Sequence, residues 1–159
     1  MNDVKIMISE IIPVFYEAAN ESLEAIFGRN GEMADNWAVT KRIDIDSENV
    51  LIMGGASDAF QAIFAVGLNE DMYEELTSQK LVEEDFNDIF GEFANTYYAL
   101  LMDNEGFVSR FGILNQTIPL LYTKGIPFLP FIAGVQGTVR VNGKSMDIGF
   151  AIQHVHRSR

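Results

Sequence analysis

The residues best suited to chemistry lie on one flank of a long helix predicted over residues 82–102. Asp88, Glu92 and Asn95 follow one another at steps of three or four residues. In a helix such side chains project from the same flank on successive turns. A carboxylate and a carboxamide held in register on a rigid helix could form a docking or catalytic edge. A polar helix stripe is most often only a solvated face, so the spacing alone does not assign a function.

A second, apolar stripe indicates how this helix is held. It lies roughly 100° around the helix from the polar flank and consists of Val82, Phe86, Ile89, Phe93, Tyr97 and Leu100. The acids of the 83–85 run crowd the first turn, where the helix dipole favours negative charge. We therefore expect an amphipathic helix that packs on the protein and exposes its polar flank.

A first amphipathic helix is predicted from apolar residues at helical spacing between Ile8 and Phe27, and Gly28 should end it. Pro13 interrupts this pattern. Either the helix is kinked there, or Pro13 lies in the first turn, where its missing N–H costs little.

The remaining chain is predicted to be mostly strand. Strands are expected over 39–45, 50–53, 59–68 and 118–123, with a turn over 54–58 and a proline-containing loop or sheet edge over 125–130. Asn69, followed by two acids, should begin a short helix running to about Gln79. Asn142-Gly143 between two strand-like segments is a strong hairpin signal.

We expect an α+β fold, two long amphipathic helices packed on an antiparallel β-sheet, in one domain over residues 1–159.

Charge and composition exclude several functions. The 159 residues carry 23 acids against 11 bases, a formal charge of −12, and the nearest basic cluster is the short tail 154–159. We expect neither nucleic acid nor an anionic membrane as partner, whereas a lysine-bearing protein face would be compatible. The absence of cysteine excludes disulfides, thiol catalysis and Cys-ligated zinc. With no signal-like N-terminus and no apolar run of about 20 residues, a cytoplasmic location is expected.

A family resemblance gives the polar flank a meaning. Asp88-x-x-x-Glu92-x-x-Asn95, followed by Pro119 at the start of a strand-like segment, resembles the active-site signature of the CheX/CheC/FliY chemotaxis phosphatases, most nearly CheX. The hairpin over 50–68 leading into the helix at Asn69 is also similar to the family's arrangement.

The resemblance implies a fold, a reaction and a set of roles. It implies a CheC-like fold and hydrolysis of the aspartyl phosphate of a CheY-like response regulator. Asn95 would orient the attacking water, Glu92 would pair with the partner's active-site lysine, and Asp88 would support docking. The chain would need no cofactor or metal of its own, because the partner would bring Mg²⁺. Homodimerisation is also implied.

Two further patterns leave alternatives open. Glu17-Ala18-Ala19-Asn20 echoes Glu92-Phe93-Ala94-Asn95, and CheC-type members carry two such motifs. Pro13, however, stands where Asp or Ser belongs, so Glu17 and Asn20 form either a second site or an ordinary helix face. His154-x-His156 would share one face of a strand, as metal ligands do, or belong to a frayed terminus.

Two rival functions remain compatible with these residues. One is a non-catalytic module of the same fold, of the flagellar-switch type, that binds a receiver without hydrolysing it. The other is a small-molecule enzyme using the carboxylates, which requires a closed pocket instead of an exposed edge.

Overall fold

The computed structural model describes residues 2–116, 120–122 and 129–155. The helices are α1 (Asn2–Ser9), α2 (Ile12–Phe27), α3 (Glu70–Thr77), α4 (Glu83–Met102) and α5 (Glu105–Phe111). The strands are β1 (Glu32–Met33), β2 (Ala38–Ile43), β3 (Asn49–Ala56), β4 (Phe60–Leu68), β5 (Asn115–Gln116), β6 (Leu120–Tyr122), β7 (Leu129–Val141) and β8 (Lys144–His154). Within the described residues the strands form one antiparallel sheet. The predicted α+β fold, with α2 and α4 packed on an antiparallel sheet, is confirmed.

The sheet is built from two similar halves. The order along its main path is β1-β7-β8-β4-β3-β5, with β2 also paired to β7 and β6 to β3. Each half supplies a long helix, short strands and a hairpin, and the short strands of each half pair with the hairpin of the other. Strands β4 and β8 meet in the centre. The helices α2 and α4 therefore occupy equivalent places in the two halves.

Pro13 lies in the first turn of α2, which was the second of the two predicted possibilities. The helical pattern is interrupted before it, because α1 ends at Ser9 and α2 begins at Ile12. At the other end Gly28 adopts φ 67°, a left-handed conformation that costs glycine little, and its N–H donates to the Glu24 carbonyl at 2.9 Å. Gly28 therefore ends α2 as predicted.

The turn predicted over 54–58 is wrong in its first half. Residues 54–56 continue β3, because Gly55 pairs with Ala62 on one side and with Gln116 on the other. The turn begins at Ser57, whose Oγ accepts from the Phe60 N–H at 3.1 Å. Two glycines in sequence favour a turn, but pairing with a neighbour on both sides overrides that preference.

Asn69 marks the start of α3 as predicted, but by a different contact. Its side chain makes no capping bond to α3; instead Oδ1 accepts from the Glu48 N–H at 2.7 Å. The predicted hairpin at Asn142-Gly143 is confirmed: both residues have positive φ, 50° and 80°, and Val141 pairs with Lys144. Of the predicted proline segment over 125–130, Pro130 lies in β7, and 125–128 are outside the described residues.

The two faces of the sheet are covered differently. The helices bury one face in an aromatic core, where Phe15 of α2 stacks on Phe150 of β8 at 5.0 Å between centroids. On the other face Ile43, at the end of β2, and Ile45, in the segment that follows, pack against the sheet. Both faces of the central strands are therefore buried, and α2 and α4 rest on a rigid base.

Candidate functional site

Helix α4 is held in one orientation by its apolar side. The buried residues are Phe86, Phe90, Phe93, Ala94, Tyr97, Tyr98 and Leu101. Phe64 of β4 contacts Tyr97 and Tyr98 edge-on, with ring centroids 6.2 and 5.4 Å apart. Such packing fixes the rotation of the helix about its axis, and so it also fixes where the opposite flank points.

The predicted polar flank lies at the surface. Asp88 and Glu92 are exposed, and Asn95 is half-buried at the rim of the helix. The Asn95 Oδ1 atom accepts a hydrogen bond of 2.7 Å from the Nε2 of Gln116, an exposed contact. Asp88, Glu92 and Asn95 thus occupy successive turns of one exposed flank. A rigid helix that carries a carboxylate and a carboxamide in this way can present both to another protein.

Gln116 is the functional-site neighbour that the sequence did not reveal. It lies on β5, which follows α5, and neither short element was predicted. Because Gln116 pairs with Gly55, the two residues share one face of the sheet. A Cβ built on Gly55 would point at Phe64 and Tyr98, which shows that this face lies toward α4. Gln116 is bonded to a residue 21 positions earlier, and a pattern read along the chain carries no signal of that contact.

The surface formed by α2 and α4 is strongly acidic. Helix α2 carries three acids and α4 carries five, and neither contains a lysine or an arginine. All of these acids are exposed: Glu17, Glu21, Glu24, Glu83, Glu84, Asp85, Asp88 and Glu92. Exposed charges of one sign attract a partner of the opposite sign and raise its association rate.

The space behind α4 does not suit a metabolite. A cavity there offers about 10 Å³ to the centre of a water molecule and is lined mainly by apolar side chains, including Leu51, Phe93 and Tyr97. That is room for roughly one water. Burial raises the pKa of Tyr97, so its hydroxyl remains neutral. Asp88, Glu92 and Asn95 do not line this cavity, and the chemistry they could perform belongs to the surface.

The second motif has a different environment. Glu17 is exposed, but Asn20 is half-buried and its Oδ1 accepts from the backbone N–H of Gly31 at 2.7 Å. Gly31 is itself buried, and its carbonyl accepts from the Tyr16 hydroxyl at 2.6 Å. Asn20 therefore holds the segment between α2 and β1, whereas the Asn95 oxygen accepts from an exposed side chain.

The remaining predicted residues are Pro119 of the motif and the two histidines near the end of the chain. Pro119 and His156 lie outside the described residues. The ring of His154 packs against Phe60 of β4, with centroids 4.8 Å apart. Among the described residues no group of three or more His, Asp or Glu side chains could hold a metal ion. In the same part of the chain, no helix is long and apolar enough to cross a membrane.

Comparison with solved structures identifies the fold. A chemotaxis protein, described as putative, from Desulfovibrio vulgaris Hildenborough matches with a TM-score of 0.75 at 13% identity, covering 91% of this chain and 97% of that one. A chain of the CheX–CheY–BeF₃–Mg²⁺ complex from Borrelia burgdorferi matches with a TM-score of 0.52 at 15% identity, covering 89% and 97%. The FliM middle domain from H. pylori gives 0.60 at 7% identity, covering 94% and 89%.

These matches rest on structure alone. No protein-family model and no curated protein matches the sequence. The fold of the chain is that of CheX and CheC-like proteins, as the resemblance of the polar flank predicted.

Proposed function

We propose that this protein, which has the CheC-like fold, is a phosphatase that hydrolyses the aspartyl phosphate of a CheY-like response regulator. The observation that carries the proposal is the position of Asn95: a carboxamide at the exposed rim of a rigid helix, one turn after the exposed carboxylate of Glu92. In the family that the sequence resembles, these two residue types at this spacing perform that reaction.

Electrostatic attraction would bring the receiver domain to the acidic surface. The acids of α2 and α4 form a surface without a balancing lysine or arginine on either helix. A receiver domain carries an active-site lysine beside its phosphorylated aspartate, and Glu92 would pair with that lysine. Asp88, one turn earlier on the same flank, would add to the attraction. This pairing would place Asn95 next to the phosphoryl group.

The chemistry needs a water in line with the bond that breaks. The water oxygen attacks phosphorus, and the bond between phosphorus and the aspartyl oxygen breaks. Its electron pair returns to the aspartate, and the water loses a proton as inorganic phosphate leaves. Asn95 can accept a hydrogen bond from this water through Oδ1 and donate to a phosphoryl oxygen through Nδ2. Such positioning contributes about 10²-fold, or about 3 kcal/mol of barrier. The partner's Mg²⁺ would neutralise phosphoryl charge, so this chain would supply no metal.

The structural neighbours support a receiver as partner. The Borrelia burgdorferi structure contains CheX together with CheY, BeF₃ and Mg²⁺, and beryllium fluoride mimics a phosphoryl group on a carboxylate. We extend that partnership to this chain. We also propose that the protein is cytoplasmic, where receivers act, and that it forms a homodimer, as CheX-like proteins do.

The FliM match favours a second candidate function. This candidate is the non-catalytic module of flagellar-switch type, a protein of this fold that binds a receiver without hydrolysing its phosphate. The acidic surface would serve this role equally well, and the two functions differ only in what happens to the phosphate after docking.

One experiment separates the two functions. A CheY-like receiver from the same organism is phosphorylated with acetyl phosphate, freed of the donor, and its phosphate release is followed with and without this protein. Acceleration at substoichiometric concentration supports the phosphatase. Tight binding of the phosphorylated receiver with an unchanged phosphate lifetime selects the binding module. If no receiver of the organism is bound or dephosphorylated, both proposals are wrong.

A further inference from the structure

Gln116 is the donor in its hydrogen bond with the amide of Asn95, the proposed catalytic residue. Its Nε2 donates to Asn95 Oδ1 at 2.7 Å. Among the described residues no acceptor is bonded to the Asn95 Nδ2 atom. The amide of Asn95 is therefore held with its oxygen toward β5, and its amino group makes no hydrogen bond within the part of the chain that the structure describes.

The position of Gln116 is fixed from two sides. Leu114, two residues earlier, is buried, and its N–H donates to the Met102 Sδ at 3.2 Å, which ties the start of β5 to the end of α4. Alternation along a strand then places Gln116 on the same face as Leu114. Its cross-strand neighbour on that face is Gly55, which has no side chain to stand between Gln116 and α4.

From this geometry we infer that Gln116 is a positioning residue that sets the orientation of the Asn95 amide. The inference rests on the proposed function. An asparagine amide on a surface can rotate by 180° and exchange its donor and acceptor. With Gln116 Nε2 as the donor, the bond fits one of the two orientations, the one with Oδ1 toward Gln116. In that orientation Nδ2 donates to a phosphoryl oxygen of the docked receiver, and the second lone pair of Oδ1 accepts from the attacking water.

The bond affects the reacting state more than docking. With the amide reversed, Nδ2 would meet the water and Oδ1 would face a phosphoryl oxygen, which repels it. The charge on the phosphoryl oxygens is stabilised only by a donor held in place before the reaction. Loss of the Gln116 bond should therefore lower kcat, with KM little changed, since docking depends on the charge of Glu92 and its neighbours.

The test uses Gln116→Met, which keeps the length of the side chain and removes the donor. Two readouts are compared with wild type. The first is the Asn95 side-chain NH₂ resonance pair in a ¹⁵N-labelled sample, assigned by its loss in Asn95→Ala. The second is phosphate release from the phosphorylated receiver. We expect the resonance pair to shift and kcat to fall about 5- to 10-fold, the effect of one lost orienting hydrogen bond.

Two controls make the result specific. Gln153→Met removes a similar exposed bond, from Gln153 Nε2 to Gln61 Oε1 at 3.2 Å, on the face of the sheet away from α4; it should change neither readout. In an Asn95→Ala background Gln116→Met should cause no further loss, because it acts through Asn95.

The outcomes separate this inference from the proposed function. If Gln116→Met leaves the Asn95 resonances unchanged, or shifts them without changing kcat, Gln116 is not a positioning residue. If wild type does not accelerate phosphate release, the proposed function fails, and the Asn95 NH₂ resonance pair recorded with the receiver loaded with beryllium fluoride and Mg²⁺ becomes the second readout. A shift on addition of this receiver that wild type shows and Gln116→Met lacks would then uphold the orientation of Asn95 toward the phosphoryl group, and the same shift in both proteins would overturn it.

Discussion

Asn20 and Asn95 occupy equivalent places on the two long helices, and each Oδ1 atom accepts a hydrogen bond of 2.7 Å from a different kind of donor. For Asn20 the donor is the backbone N–H of the buried Gly31, and for Asn95 it is the exposed side chain of Gln116. The first amide completes a hydrogen bond of the fold, whereas the second is bonded to an exposed side chain at the rim of α4. The two motifs look alike in sequence, but their surroundings predict different consequences of mutation.

Asn20 is predicted to act in stability and not in phosphate release. Asn20→Ala leaves the buried Gly31 amide without its acceptor, which should lower the free energy of unfolding by about 1–3 kcal/mol. Asn20→Asp keeps an oxygen at the same place and should lose less. Urea denaturation measures the difference. Equal stability of Asn20→Ala and wild type would show that the Gly31 bond contributes nothing.

Glu92 is predicted to act in docking. Glu92→Gln removes one charge and keeps the shape of the side chain, so we expect KM for the phosphorylated receiver to rise about 5- to 10-fold, with kcat nearly unchanged and a weaker dependence on salt. Glu105→Gln, which removes an exposed charge from α5, serves as the matched control. A larger effect on kcat than on KM would assign Glu92 to the chemical step instead.

Glu75 is predicted to make the fold sensitive to acid. Its carboxylate accepts from Arg29 at 2.8 Å, from Asn142 at 3.2 Å and from Lys144 at 3.3 Å, joining α3 to the end of α2 and to the β7–β8 hairpin. The Arg29 hydrogen bond is the main cause that lowers the Glu75 pKa to about 2, with Asn142 and Lys144 adding to it.

A lowered pKa in the folded state stabilises the fold above the unfolded-state pKa, and this stabilisation is lost as pH falls. The difference in Tm between wild type and Glu75→Gln should therefore be largest near neutral pH and shrink as pH falls from about 4.5 toward 2. Glu74→Gln, which removes the neighbouring exposed acid of α3 and leaves the three Glu75 contacts in place, serves as the matched control. A Tm difference that is constant with pH would contradict the assignment.

Replacing either of two glycines by alanine is predicted to change the stability of the fold, in opposite directions at the two positions. A Cβ on Gly137 would overlap the indole of Trp37, whose Nε1 donates to the Thr138 carbonyl at 3.0 Å. Gly137→Ala should therefore destabilise the fold by about 1–3 kcal/mol and shift the fluorescence emission of Trp37, the single tryptophan of the chain.

A Cβ on Gly91, inside α4, would meet nothing within 4 Å. Gly91→Ala should stabilise by about 0.5–1 kcal/mol. Thermal unfolding of both variants checks the signs, and a destabilising Gly91→Ala would contradict the open space beside α4.

The parts of this structure that could be predicted are those specified locally. The span of α4, its polar flank and the Asn142-Gly143 hairpin follow from side-chain period and turn chemistry. The continuation of β3 through Gly55 could not be predicted, because it depends on two neighbouring strands. The hydrogen-bond partners of Asn20 and Asn95 could not be predicted either. Gly31 and Gln116 are brought close by the fold and not by the helix that carries the asparagine.

The measurement that tests the proposed phosphatase most directly compares Asn95→Ala with wild type at saturating phosphorylated receiver. The variant removes only the half-buried amide at the rim of α4 and leaves the buried side of the helix intact, so it should fold and bind normally. We predict that its maximal rate of phosphate release falls about 10²-fold, while Asn20→Ala, assayed where it is folded, retains the wild-type rate. An Asn95→Ala protein that releases phosphate as fast as wild type would contradict the proposed role of this residue.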